Sequence, residues 1–215
     1  MAGPLLFQGT FMPTDTVVLA TSWIQQSALG ERPARTLLVG AAMLTCRFRF
    51  GSMGFHVAAH STTVTDDPAE TMSWLADAFH IPPERLLLWR AEDIVVPSLI
   101  AVAETARDTI AAAKLLRELD SVFTGEVIDV AETYGGTSAT SFDAIAHGAG
   151  IPFVPMTRAD LAESHRTGCH GAIREHLVTR VKAIWQLWLA SREDTESLAA
   201  ATEAWLTTPD AQVRL

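Results

Sequence analysis

Asp15-Thr-Val-Val-Leu-Ala-Thr-Ser-Trp23 is the stretch on which the fold turns. The β-branched, apolar run Thr16-Val-Val-Leu-Ala20 reads as the first buried strand of a parallel sheet, and Thr21-Ser22-Trp23 as its C-terminal end. In open α/β sheets that end of the strands faces the ligand. On the C-terminal side, Arg35 to Cys46 is apolar with interspersed small residues and is predicted to be a helix packed on the sheet. Phe55-His-Val-Ala-Ala-His60 is predicted as a second strand after a Gly51/Gly54 turn. Asp67 and Pro68 open a helix that Ile81-Pro82-Pro83 stops, and Leu86-Leu-Leu88 is the next strand.

Farther along, Ile110, Ala113, Leu115, Leu116 and Leu119 recur at helical spacing, and Val127-Ile-Asp-Val130 follows as a strand. Gly135-Gly136 makes a turn, Ser138 to His147 is helical, Gly148 and Gly150 end that helix, and Ile151 to Met156 is a further strand. Alternating strands and helices imply a Rossmann-like α/β fold, a mostly parallel sheet with helices on both faces. Residues 171–215 add a C-terminal helical extension packed on it, so 1–215 is expected to form a single domain. In that extension Trp185 and Trp188 share one helix face with Leu187 and Leu189, as a core or an oligomer contact.

Composition narrows the function classes. The chain has 215 residues, 48% of them hydrophobic, enough for one well-buried core. Sixteen Lys and Arg against 25 Asp and Glu give a net charge of -9, which repels a phosphate backbone. Nucleic acid is therefore not the expected partner; a small-molecule ligand is, with a homo-oligomer as a further expectation. Cys46 and Cys169 form no CxxC pair, so neither a disulfide framework nor a zinc ribbon is indicated. Met1 to Pro13 has no signal-peptide pattern and no apolar run approaches membrane-spanning length, so a cytoplasmic protein with no membrane partner is expected.

Candidate site residues follow from the predicted strand ends. His60, beside Ser61 and Glu70, is placed to act as a general base, and Trp23 could stack on a flat ring or simply pack. Glu104-Thr-Ala-Arg107-Asp108-Thr109 opens a helix. Arg107 would pair with a ligand anion while Glu104 or Asp108 accepts hydrogen bonds, or Asp108 or Thr109 would merely cap the helix. Tyr134-Gly-Gly-Thr-Ser138 offers a Gly-Gly turn whose backbone N–H groups could approach a phosphate with help from Thr137 and Ser138, or a plain turn and cap. His56 and His60 lie four apart on a strand, roughly 13 Å, too far for shared metal ligation. His165, Cys169, His170 and His176 are suitable zinc-ligand types without a recognised spacing, and no metal is assigned. Signatures for a nucleophilic serine elbow, a P-loop or a dinucleotide fingerprint are absent.

Several of these pieces in succession resemble the SanA/YdcF/ElyC family of bacterial proteins over about Thr14 to Thr157. They are Asp15-Thr-Val-Val-Leu19, Glu70-Thr-Met72, Ile81-Pro82-Pro83-Glu84-Arg85-Leu-Leu-Leu88 and Ala106-Arg107-Asp108-Thr109. The resemblance implies a Rossmann-like domain binding an anionic or nucleotide-like ligand, with S-adenosylmethionine as one cofactor candidate. The chain departs from the family at Ala20-Thr-Ser-Trp23, at Ala59-His60-Ser61, and at Gly135 and Ser138, where the family carries His and Arg. The function expected is a YdcF-like transferase or hydrolase of a small polar or phosphate-bearing metabolite, in a biosynthetic pathway. The alternative is a non-catalytic nucleotide- or S-adenosylmethionine-binding regulatory protein. Catalytic roles fall on His60, Glu104 and Asp108. Binding roles fall on Ser22, Trp23, Ser61, Arg107, Thr109, Tyr134, Gly135, Gly136, Thr137 and Ser138.

Overall fold

The computed structural model describes residues 15–27, 34–49, 52–138, 140–193 and 195–209. Met1 to Pro13, Gly51 of the expected turn and the last six positions of the helical extension lie outside the described residues. Five strands form one sheet in the order β3-β2-β1-β4-β5: β1 (Thr16–Gln26), β2 (Arg35–Arg49), β3 (Ser52–Ser61), β4 (Arg85–Leu88) and β5 (Glu126–Asp129). β1, β2 and β3 pair antiparallel in a meander, and β4 and β5 add parallel to β1. Four of the five strands therefore point the same way, with β2 alone reversed, and helices cover both faces. This is the expected α/β architecture.

Two predicted elements differ. Arg35 to Cys46 is not a helix but most of β2, the longest strand. Leu38, Ala41 and Met43 face one helical layer while Val39, Ala42 and Leu44 face the other, and all are buried. With both faces covered, the alternation that marks a strand vanishes, and Gly and Ala among the apolar residues mimic a small-residue helix. Ile151 to Met156 is not a strand either. Pro152 and Pro155 have no N–H to give a ladder, and the segment instead runs along a helix, where the Val154 N–H donates to Thr179 Oγ1 at 3.1 Å.

One face of the sheet carries α1 (Ala69–Ala78), α2 (Val96–Thr105) and α3 (Thr109–Phe123). Their Met72, Leu75, Leu99 and Leu115 pack against Val17, Leu19, Leu86 and Leu88. As expected, Asp67 serves the start of α1, its Oδ1 accepting the Ala69 N–H at 2.9 Å. The opposite face is covered by α4 (Phe142–Gly148), α5 (Arg158–Thr167), α6 (His170–Ala190) and α7 (Glu196–Leu206). α6 lies across β1, β2 and β3 and belongs to the core: Trp185 and Trp188 are 1% and 2% exposed within the chain. Its approach is close enough to require glycine at position 40, where a Cβ would sit 2.6 Å from Leu177 Cδ1 and 3.0 Å from Ile173 Cγ2.

Strand length sets the position of the site. β1 pairs with β4 only through Val18, because β4 ends at Leu88 while β1 continues to Gln26. At Arg90 the chain turns away with a left-handed backbone, φ 59°, into a π-helical turn at Ala91–Val95. The Asp129 carboxylate at the end of β5 fixes that turn by accepting the N–H groups of Arg90 at 2.8 Å, Ala91 at 2.7 Å and Ala131 at 3.0 Å. A left-handed arginine costs of order 1 kcal/mol, and three hydrogen bonds to a charged acceptor more than offset it. The edge of β1 beyond Val18 is thereby left open beside the C-terminal end of β4.

Candidate functional site

A cavity of about 200 Å³ occupies that opening. β1 supplies Thr21, Ser22 and Trp23, α5 supplies Arg158, and α6 supplies His176 and Arg180. His176, Arg180 and Ile184 lie four residues apart on a single stripe of α6, the spacing that stacks side chains on one helix face.

Arg180 is the feature that most constrains the chemistry. Its Cζ lies 4.4 Å above the centre of the Phe142 ring, and among the described residues no hydrogen-bond acceptor or carboxylate partners its guanidinium. Burial pushes the guanidinium down to about 10, with Asp143 opposing, so it remains a cation at neutral pH. Buried charges are ordinarily paired, because removing one from water costs several kcal/mol in isolation. Thr21 adds a second open valence: the residue is 8% exposed and its Oγ1 is buried without a partner.

His176 is 6% exposed, and its Nδ1 lies 2.7 Å from the Val154 carbonyl oxygen. A carbonyl only accepts, so the proton sits on Nδ1. Burial holds the imidazole below its ordinary pKa, helped by Arg180 and opposed by the Val154 carbonyl and Asp143. The ring is neutral at pH 7. Arg158, exposed at the first turn of α5, contributes a second cation at the rim.

Of the residues expected from sequence, Ser22 and Trp23 line this cavity, while His60 and Ser61 build a separate cluster at the same level of the sheet. The register places Ser22 beside Gly40 and Gly40 beside Ser61. His60 Nδ1 is 3.2 Å from Thr71 Oγ1, and its ring stacks on Trp74. Burial is the largest influence on His60 and lowers its pKa; Glu70 pulls the other way. Ser61 Oγ is 3.2 Å from His170 Nδ1, and His170 Nε2 is 3.2 Å from Asp66 Oδ2. Asp66 in turn accepts from Thr63 N at 2.6 Å and Thr63 Oγ1 at 2.8 Å. His170 Nδ1 also lies 3.1 Å from the Ser61 carbonyl, so the imidazole bridges the end of β3 to the following loop.

The Glu104 to Thr109 segment lies on the other helical face. Arg107 and Asp108 line a different cavity, of about 230 Å³, with Asp67 and the start of β2. Asp108 is occupied there as the cap of α3, accepting the N–H groups of Ile110 at 2.9 Å and Ala111 at 3.0 Å. Glu104 and Thr109 are exposed and line neither cavity. The Tyr134 to Ser138 stretch also stays outside the first cavity. Tyr134 Oη donates to the Leu187 carbonyl at 2.8 Å, and the N–H groups of Gly135 and Ser138 are used within the turn. A Cβ on Gly136 would come within 2.8 Å of the Glu132 carboxylate, a poor neighbour for a phosphate.

Sequence reasoning did not single out Arg158, Arg180 or Thr21, and it placed His176 only in a metal-type group with His165, Cys169 and His170. Among the described residues no three His, Cys, Asp or Glu side chains converge to hold a metal ion. The signal that was present is a His and an Arg four apart on the stripe of α6 that continues to the buried Ile184.

No family model and no curated protein matches the chain. Among solved structures it is similar to the family B DNA polymerase from the hyperthermophilic archaeon Pyrobaculum calidifontis. The TM-score is 0.55 at 12% identity, over 87% of this chain and 25% of that one. This chain thus spans a quarter of the polymerase's length, and the likeness is one of fold alone. Among the described residues no helix is long and apolar enough to cross a membrane.

Proposed function

We propose that the protein is an enzyme of small-metabolite chemistry, a transferase or hydrolase, whose substrate is anchored by a phosphate-like anion in the cavity beside β1. The observation that carries this reading is Arg180, a half-buried guanidinium at a cavity whose lining has no carboxylate, with only Asp143 acting on it from beyond the lining. An oxyanion is the group that satisfies it, by a charge-assisted hydrogen bond. Arg158 adds charge at the rim, the Thr21 and Ser22 hydroxyls supply short polar contacts, and Trp23 closes one side. His176 is the cavity's neutral acid–base group, suited to exchange a proton with a bound hydroxyl.

Size and charge favour a small ligand over a polymer. A space of about 200 Å³ seats the anionic end of a small ligand, whose remainder would extend out of the cavity, and a net charge of -9 repels a polyanion. The SanA/YdcF resemblance supports a nucleotide-like or S-adenosylmethionine-like ligand as the first compounds to try. The test is calorimetric titration with inorganic phosphate, adenosine monophosphate, S-adenosylmethionine and uncharged adenosine. Phosphate-bearing probes should bind and adenosine should not, and Arg180→Gln should weaken them by about tenfold or more. Equal binding of phosphate-bearing probes by the wild type and Arg180→Gln would sink the reading.

A further inference from the structure

The ring of His176 sets a finer property, which rests on the reading of the cavity as an anion site. With its proton held on Nδ1 by the Val154 carbonyl, His176 presents a lone pair at Nε2, and that atom has no hydrogen-bond partner among the described residues. The ring lines the cavity that Arg180 enters one turn later on the same helix. The charged groups around it are Arg180 on α6, Asp143 on α4 and Arg158 at the start of α5. The site thus combines cations, which call for an oxyanion, with an acceptor, which calls for a proton.

We propose that the cavity selects a tetrahedral oxyanion that still carries a proton, hydrogen phosphate or a singly protonated phosphate monoester, over one that carries none. His176 Nε2 is the specificity-determining acceptor. An anion with a P–OH group donates to Nε2 while its remaining oxygens accept from Arg180, so every group is satisfied. Sulfate has no proton at neutral pH. Its oxygen would face the lone pair, leaving an acceptor buried against an acceptor. Sulfate can enter only when the imidazole takes up a proton from solvent, so its affinity falls by up to about tenfold per pH unit as pH rises above the ring's own titration. Inorganic phosphate brings its proton with it and escapes that penalty.

The experiment is calorimetric titration of the protein with inorganic phosphate and with sulfate at pH 6 and pH 8, repeated with His176→Gln. The expected result at pH 8 is phosphate bound about tenfold or more tighter than sulfate, the margin narrowing at pH 6 and lost in His176→Gln. Long-range proton–nitrogen NMR of the wild-type imidazoles gives a check independent of the variant: His176 should carry its proton on Nδ1 at pH 8. Equal affinity for the two anions at pH 8, or a proton on Nε2, overturns the selectivity and leaves the anion site standing. Failure of both anions to bind overturns the anion site and the selectivity together.

Discussion

Two polar regions sit at the same level of the sheet edge, one around Ser61 and the other around Ser22, and they draw on the same kinds of side chain. Around Ser61, the valences meet inside the protein: Ser61 faces His170, His170 faces Asp66, and Asp66 is held by Thr63. Around Ser22, they do not: Arg180 and the His176 ring line a cavity with no protein partner among the described residues for the guanidinium or for Nε2, and Thr21 Oγ1 is buried beside it without one. A satisfied network belongs to the fold. A half-buried cation and a ring lone pair left without protein partners around one cavity call for a ligand. Serine, histidine and aspartate in reach of one another suggest nucleophilic chemistry by residue type, yet the accounting of partners points to the other region.

The cavity wall depends most on Asp129. Asp129→Ala removes the acceptor of three N–H groups and the support for the left-handed Arg90. A loss of about 3–5 kcal/mol in urea denaturation is expected. A loss under about 1 kcal/mol would mean that the wall does not depend on this carboxylate. Next in size is the satisfied cluster. His170→Ala leaves Asp66 and the end of β3 unbridged and should cost about 1–3 kcal/mol, with phosphate affinity unchanged. Intact stability with lost phosphate binding in that variant would reverse the roles of the two regions.

How far these roles were legible in sequence depended on whether a residue's burial is one-sided. β1 and α1 carry local signals, a β-branched run and an Asp-Pro start. α3 is legible as a helix but not in phase: Ile110, Ala113 and Leu116 of the expected stripe face solvent, while Ala111, Ala112, Glu118 and Val122 are buried with Leu115 and Leu119. β2 carries none, because helices cover both its faces and the resulting run of Leu, Val, Ala and Gly has no period. The site divides the same way. Ser22 and Trp23 stand where the sequence puts the end of the first strand; β1 instead runs on to Gln26, and they line the cavity because β4 stops short beside them. Arg180 and His176 depend on which side of α6 meets the short β4. α6 buries residues around most of its circumference, among them Val178, Val181, Ala183, Ile184 and Trp185, so no polar stripe marks Arg180 as misplaced. Asp108 misled for the converse reason: a helix cap and a ligand-binding carboxylate have the same sequence, and only its bonds to Ile110 and Ala111 separate them.

A smaller effect sharpens the contrast by its sign. Arg180→Met keeps much of the side chain's length and its packing on Phe142, and removes a half-buried charge that has no hydrogen-bonded partner among the described residues. Stability should stay level or rise by about 1 kcal/mol while phosphate affinity is lost. Removing the cavity's charge would then act oppositely to removing His170. A drop of about 2 kcal/mol or more in Arg180→Met would show instead that the guanidinium supports the fold.

The subtlest expectation concerns pH. His176 and His165 are both buried, and burial lowers the pKa of each below that of an unfolded histidine. Above about pH 6.5 both folded and unfolded chains hold these rings neutral, and the histidines place no slope on stability. As pH falls below that value the unfolded chain takes up protons that the folded chain refuses. The unfolded state then binds more protons, so stability declines with falling pH until the folded rings themselves titrate. For His176 the slope is at most about 1.4 kcal/mol per pH unit. Urea denaturation at pH 7.5, 6.5 and 5.5 should show a shallower decline in His176→Gln than in the wild type. Adding phosphate should stabilise the wild type more than His176→Gln, because the ligand's proton satisfies the Nε2 lone pair that the empty cavity leaves open. Identical pH slopes in the two proteins would show that the folded state does not hold His176 neutral, and the acceptor on which the cavity's selectivity depends would be gone with it.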